Sequence, residues 1–199
     1  MSAGIREVEP LFHAECDIAA IVYDRSDDPD LVLFGFAKDL QASGKRTVGL
    51  LQLGRIADAR RDHGLRTTLL LSGRTITLTH RALSPDSCAL EAGGLWAVAD
   101  LIAADIRKGA DLVVINRFGK LELNGGGFLR EITSAMALGI PVIIAVPECN
   151  FRVWTAYSGG MSVRLGCRRK ELDLWWRSVS ATPASATPRG SATFCGITK

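Results

Sequence analysis

Four short stretches carry residue types that could hold a small charged ligand: Asp24-Arg25-Ser26-Asp27-Asp28-Pro29-Asp30, Asn116-Arg117-Phe118-Gly119-Lys120-Leu121-Glu122, Asn124-Gly-Gly-Gly127 and Ser158-Gly159-Gly160. A loop running from a strand into a helix binds phosphate when glycines expose its N–H groups and a lysine neutralises the terminal phosphates, the pattern GxxxxGK[ST]. The first stretch occupies such a place but has no lysine, and from Tyr23 onward no glycine occurs before Gly35. Asp24, Asp27, Asp28 and Asp30 would repel a polyphosphate there. Asp24, Arg25 and Ser26 still offer a guanidinium and a hydroxyl that suit a small anion or a partner's carboxylate, or else they form a capped helix start. Asn124 to Gly127, with Gly125 and Gly126 at its centre, either presents N–H groups to an oxyanion such as phosphate or molybdate or is a surface turn. Ser158, Gly159 and Gly160, with Arg164 close behind, pose the same alternative.

The elements that must position these residues follow from apolar patterning. Residues 16 to 23 read as a buried strand, 31 to 43 as a helix closed by Gly44, and 46 to 53 as a second strand, one βαβ unit with a parallel pair. Two β-rich runs around Ser72-Gly73-Arg74, between residues 65 and 80, predict an inserted hairpin. A helix follows over 90 to 108, a strand over 111 to 115, a helix over about 127 to 138 and a strand over 141 to 146. Helical spacing returns at 151 to 157 and 169 to 179, with Trp154, Trp175 and Trp176 as packing anchors. Short apolar strands alternating with amphipathic helices define an α/β fold, a mainly parallel sheet with helices on both faces. Residues 1 to 15 read as an N-terminal extension and 16 to 180 as a single domain. The Ser-, Thr-, Ala- and Pro-rich end, 181 to 199, reads as a disordered tail.

The run Val113-Val-Ile-Asn-Arg-Phe-Gly-Lys-Leu-Glu122 resembles the magnesium-binding strand of the small thermophile-type nucleoside-triphosphatases. That strand is followed by Asp-Glu-hydrophobic-Gly-Lys-Met/Leu-Glu. Gly119, Lys120 and Glu122 match, whereas Asn116 and Arg117 stand where the two acids would be. An amide is a poor magnesium ligand and an arginine is no base at neutral pH. With Trp154-Thr-Ala-Tyr-Ser-Gly-Gly-Met-Ser-Val-Arg-Leu-Gly-Cys167, the same run is similar to a bacterial family of unknown function often encoded beside molybdate-transport genes. The resemblance covers about residues 16 to 177. It implies a phosphate-loop NTPase-like scaffold with both nucleotide motifs degenerate. Lys120 and Glu122 fall just beyond a strand's carboxyl end, where open α/β sheets bind ligands; the other reading makes Arg117, Lys120 and Glu122 an ion-pair cluster ordering a loop.

Composition is that of a folded chain: 47% hydrophobic and 23% charged residues, with a formal charge of +3 over 199 residues. No basic run is dense enough for a nucleic-acid arm. No apolar stretch approaches the roughly 20 residues needed to cross a bilayer. Five scattered cysteines without a CxxC pair suit a reducing cytoplasm. His13, His63 and His80 share no spacing with one another or with cysteines, so no catalytic residue and no metal site is assigned, and no motif identifies a cofactor. The expected function is a non-hydrolysing nucleotide- or oxyanion-binding regulatory protein linked to molybdenum. The alternatives are a divergent triphosphatase or phosphotransferase, and a homodimeric interaction module using the hairpin or the Trp175-Trp176 helix as its contact surface.

Overall fold

A computed structural model describes residues 17–52, 64–84, 87–90 and 92–181. The N-terminal extension and all but the first residue of the expected tail lie outside them. Strand β1 (Ile18–Tyr23) leads through the acidic loop into helix α1 (Pro29–Ala42), and β2 (Thr47–Gln52) follows. The expected hairpin forms as β3 (Gly64–Leu69) and β4 (Thr75–Ser84), joined by β5 (Ser87–Leu90). The chain continues as α2 (Ala92–Arg107), β6 (Leu112–Asn116), the single turn α3 (Lys120–Leu123), α4 (Leu129–Ala137), β7 (Val142–Pro147), α5 (Phe151–Tyr157), β8 (Ser162–Gly166) and α6 (Arg169–Ser180).

The strands form one sheet in the order β5-β4-β3-β2-β6-β7-β1-β8. From β2 to β8 every neighbour is parallel, while β3, β4 and β5 extend the β2 edge antiparallel. Two expectations change here. β1 and β2 are both parallel strands but are not partners, because β6 and β7 lie between them. Helix α1 therefore crosses two strand positions, a distance that local periodicity does not encode. Strands β5 and β8 were also not foreseen; β8 is an edge strand whose Ser162, Val163 and Arg164 are only partly covered, so it has no continuous apolar run.

Side-chain alternation divides the core. Ala20, Val22, Val48, Leu50, Val113, Ile115 and Ile144 face α2, α4 and α5, where Val98, Ile102, Ile132 and Trp154 meet them. Ala19, Ile21, Leu51, Val114 and Ile143 face α1 and α6, against Phe36, Leu40, Leu172 and Trp175. Helices thus cover both faces, as expected of an α/β chain. Trp175 is 1% exposed, and Trp176 packs on the same cluster. Burial in the core takes Trp175 out of the contact surface expected on that helix. Among the described residues no helix is long and apolar enough to cross a membrane.

Candidate functional site

The carboxyl ends of β1 and β6 bring Tyr23, Asp30, Asn116 and Arg117 together. Pro29 opens α1 and Asp28 caps it, its Oδ1 accepting the Leu31 N–H at 3.1 Å. Asp30 therefore sits in the first helical turn and faces the sheet. Arg117 Nη2 donates to both Asp30 carboxylate oxygens, at 3.1 and 3.2 Å, and Nη1 donates to the Tyr23 hydroxyl at 3.0 Å. The Asn116 side-chain amide donates to the same Asp30 carboxylate. Burial pushes the Asp30 carboxyl above its ordinary range, against the opposing pull of Asn116 and Arg117. Asn116 is fully buried; among the described residues its Oδ1 and the Arg117 Nε have no hydrogen-bond partner. The peptide between these two residues is cis.

This places an acid on the helix after the first strand and a base at the end of β6. The polarity is the reverse of a phosphate site, in which the loop supplies the cation and the strand supplies the acids. In the sequence Asp30 was read only as a charge repelling polyphosphate, and Tyr23 was given no role. The usable signal was charge reversal: an acid at the helix start answering the arginine that replaces an acid.

The rest of the loop is closed by its own side chains. Asp24 Oδ1 accepts from the Ser26 hydroxyl at 2.6 Å and the Ser26 N–H at 2.7 Å, bonds that hold the Asp24 carboxyl below its usual range. Asp27 Oδ2 accepts the Asp24 N–H at 3.0 Å. Arg25 is exposed. Cys167, just past β8, is pushed up to about 11 by burial and by the carboxylates of Asp27, Asp28, Asp30 and Asp24. The loop's field is negative, and the N–H groups of Asp24 and Ser26, with that of Leu31 in the first turn of α1, already have carboxylate partners.

The glycine turns are engaged in the same way. Gly125 and Gly126 donate their N–H groups to Glu122 O and Leu121 O at 3.0 and 2.9 Å, closing the end of α3. Gly159 and Gly160 donate to Ala156 O and Thr155 O at 3.2 and 2.9 Å, closing α5, and buried Ser158 donates its hydroxyl to Thr155 O. Because Ser162 pairs with Ile18, that second turn lies at the amino ends of the strands, the opposite edge from Asp30 and Arg117. Arg164 forms a two-point pair with Glu148 at 2.6 and 3.1 Å.

Lys120 is exposed, whereas Glu122, 6% exposed, turns inward and accepts the N–H groups of Gly119 at 2.9 Å and Phe128 at 3.1 Å. The expected cluster of Arg117, Lys120 and Glu122 does not form: Arg117 is committed to Asp30, and Glu122 orders its loop through backbone donors. Burial raises the Glu122 carboxyl above the ordinary glutamate value of about 4.3. Its protonated form is thus favoured by folding. The resulting stability is complete below the unfolded value and is lost as pH rises through the folded one. Urea midpoints measured from pH 4 to 7 should fall more with rising pH for the wild type than for Glu122→Gln; parallel curves would overturn the assignment.

Fold and site together define a nucleoside-triphosphatase-like α/β scaffold whose phosphate-loop position is closed by an internal acid–base pair. Among solved structures it resembles THEP1 from the hyperthermophile Aquifex aeolicus, with a TM-score of 0.57 and 14% identity over 81% of this chain and 95% of that one. The model of the family described as "Protein of unknown function (DUF2478)" matches residues 18–175, and the chain belongs to that family. A protein of Bradyrhizobium diazoefficiens, "Molybdenum import ATP-binding protein ModC 2", is 37% identical over 176 residues. That match takes in 86% of this chain and 20% of the relative, so the chain spans a fifth of that protein's length.

Proposed function

We propose that this chain is a non-hydrolysing regulatory protein on a nucleoside-triphosphatase-like scaffold, acting in molybdenum import through the importer's ATP-binding protein. The observation that carries the reading is the closed loop: Asp24, Asp27 and Asp28 hold its N–H groups, and Asp30 holds Arg117. A polyphosphate entering there would have to displace bound carboxylates and meet their charge. Asn116 offers only a poor magnesium ligand and Arg117 no base, which weakens both parts that phosphoryl transfer depends on. The molybdenum assignment is supported by the Bradyrhizobium relative, in which a segment like this chain makes up a fifth of a protein named for molybdenum import.

A second reading, binding of a small oxyanion or nucleotide at the strand ends, is favoured by the buried Arg117 Nε that lacks an acceptor. Isothermal titration with ATP and magnesium, then with molybdate, separates the two while phosphate release is followed. The expected result is no heat of binding and no turnover with either. Molybdate heat abolished by Arg117→Met would favour the second reading, and turnover above background would sink the first.

A further inference from the structure

The two helical layers differ in what they show to solvent. Nine large apolar residues are exposed among the described residues, and α1 and α6 contribute only Leu31. Trp96 and Leu101 of α2, Leu123 of α3, Leu138 at the end of α4, and Val153 and Tyr157 of α5 all belong to the opposite layer. Between α3, α4 and α5 lies an open groove of about 660 Å³, lined by Leu123, Leu129, Thr133, Ala137, Val153 and Tyr157. Contiguous exposed apolar surface of this kind marks an interaction site more often than it marks chance.

The groove is also firmly built. Tyr157 shares a hydrogen bond of 2.9 Å with Thr133 and donates to Leu129 O, and its ring lies 5.9 Å from that of buried Trp154. The loop carrying Leu123 is fixed by Glu122 through the Gly119 and Phe128 amides. A preformed apolar groove loses little freedom when it is filled.

Two basic residues adjoin its lining along the chain. Lys120 opens α3 and Arg152 precedes Val153; both are exposed, and neither forms an ion pair among the described residues. Arg130 lines the groove but is already engaged by Asp100 and Glu131. The complementary surface is an amphipathic segment with apolar side chains for the groove and carboxylates for Lys120 and Arg152.

We infer that the α3–α4–α5 groove is where this chain docks the ATP-binding protein of a molybdenum importer, through an apolar segment flanked by acids. The inference rests on the proposed function. It adds the surface, and it takes its occupant from the relative in which a segment 37% identical to this chain is covalently part of such a protein.

Biolayer interferometry with the molybdenum-import ATP-binding protein of the same organism tests both levels. Val153→Asp and Arg152→Glu, each confirmed folded by circular dichroism, should weaken binding at least tenfold. Leu31→Asp, on the opposite layer, should stay within twofold of wild type. If wild type binds and all variants bind equally, the groove is wrong and the partner stands. If wild type does not bind, the proposed function and the groove fall together. A wild-type dimer in sedimentation that Val153→Asp dissociates would give the groove to a second copy and overturn the inference.

Discussion

Gly49→Ala is expected to remove a large part of the stability of the fold. Gly49 lies in β2 with φ of +128°, and a Cβ built there would come within 1.9 Å of the Val114 carbonyl oxygen and 2.8 Å of its carbon. Both atoms belong to the backbone of β6, which is held between β2 and β7, so no rotamer change relieves the clash. Relief requires separating β2 from β6, where the parallel ladder meets the antiparallel ribbon. The Gly49 carbonyl also accepts the Leu70 N–H at 3.0 Å, which ties that ribbon to the same point. A loss above about 4 kcal/mol is expected, against a total stability of roughly 5–15 kcal/mol for a domain. Gly44→Ala is the matched control: its φ is +83°, but nothing lies within 4 Å of the added carbon. Strain alone should cost it about 1 kcal/mol. Soluble yield and urea unfolding of the two variants check the difference, and a well-folded Gly49→Ala would contradict the strand packing described here.

Trp154→Ala should cost about 3–5 kcal/mol, the range for removing a large buried aromatic side chain. Trp154 is fully buried, with its ring edge-on to Phe118 at 5.3 Å between centroids and its indole N–H donated to Ser162 Oγ at 2.9 Å. It joins the chain beyond β6 to the start of β8, and it backs Tyr157 in the groove. Ser162→Ala removes only the hydrogen-bond acceptor and should cost about 1 kcal/mol. Urea denaturation followed by circular dichroism measures both. Equal losses would mean that the hydrogen bond, and not the packing, holds the ring.

The parallel strands β1, β2, β6 and β7 were legible in the sequence because each is buried and must be apolar at consecutive positions, as in Val113 to Ile115. β8 was not legible, since an edge strand alternates polar and apolar residues and Arg164 in its middle points to solvent. The neighbours of β1 were misread because pairing is set by crossovers that leave no periodic mark. Asn116 and Arg117 were recognisable as substitutions within a motif. Their partner Asp30 was not, because a pair 87 residues apart becomes visible only once the strand order is known. The glycine runs misled for a different reason: glycine is required both where a loop offers its amides outward and where a helix folds them inward. Only the hydrogen-bond partners of Gly125, Gly126, Gly159 and Gly160 decide between the two.

The reversed pair of Asp30 and Arg117 also limits which descendants of this sequence are reachable. An exchange that puts an acid at position 117 sets two carboxylates against each other, and one that puts a base at position 30 sets two cations together. At about 4 Å in a partly buried setting, either arrangement costs on the order of 4 kcal/mol. Made together, the two exchanges restore an opposite-charge pair, so the cost of each charge reversal depends on the other. The ion pair thus couples the two positions, so that a change at either one is felt through the other although 87 residues separate them.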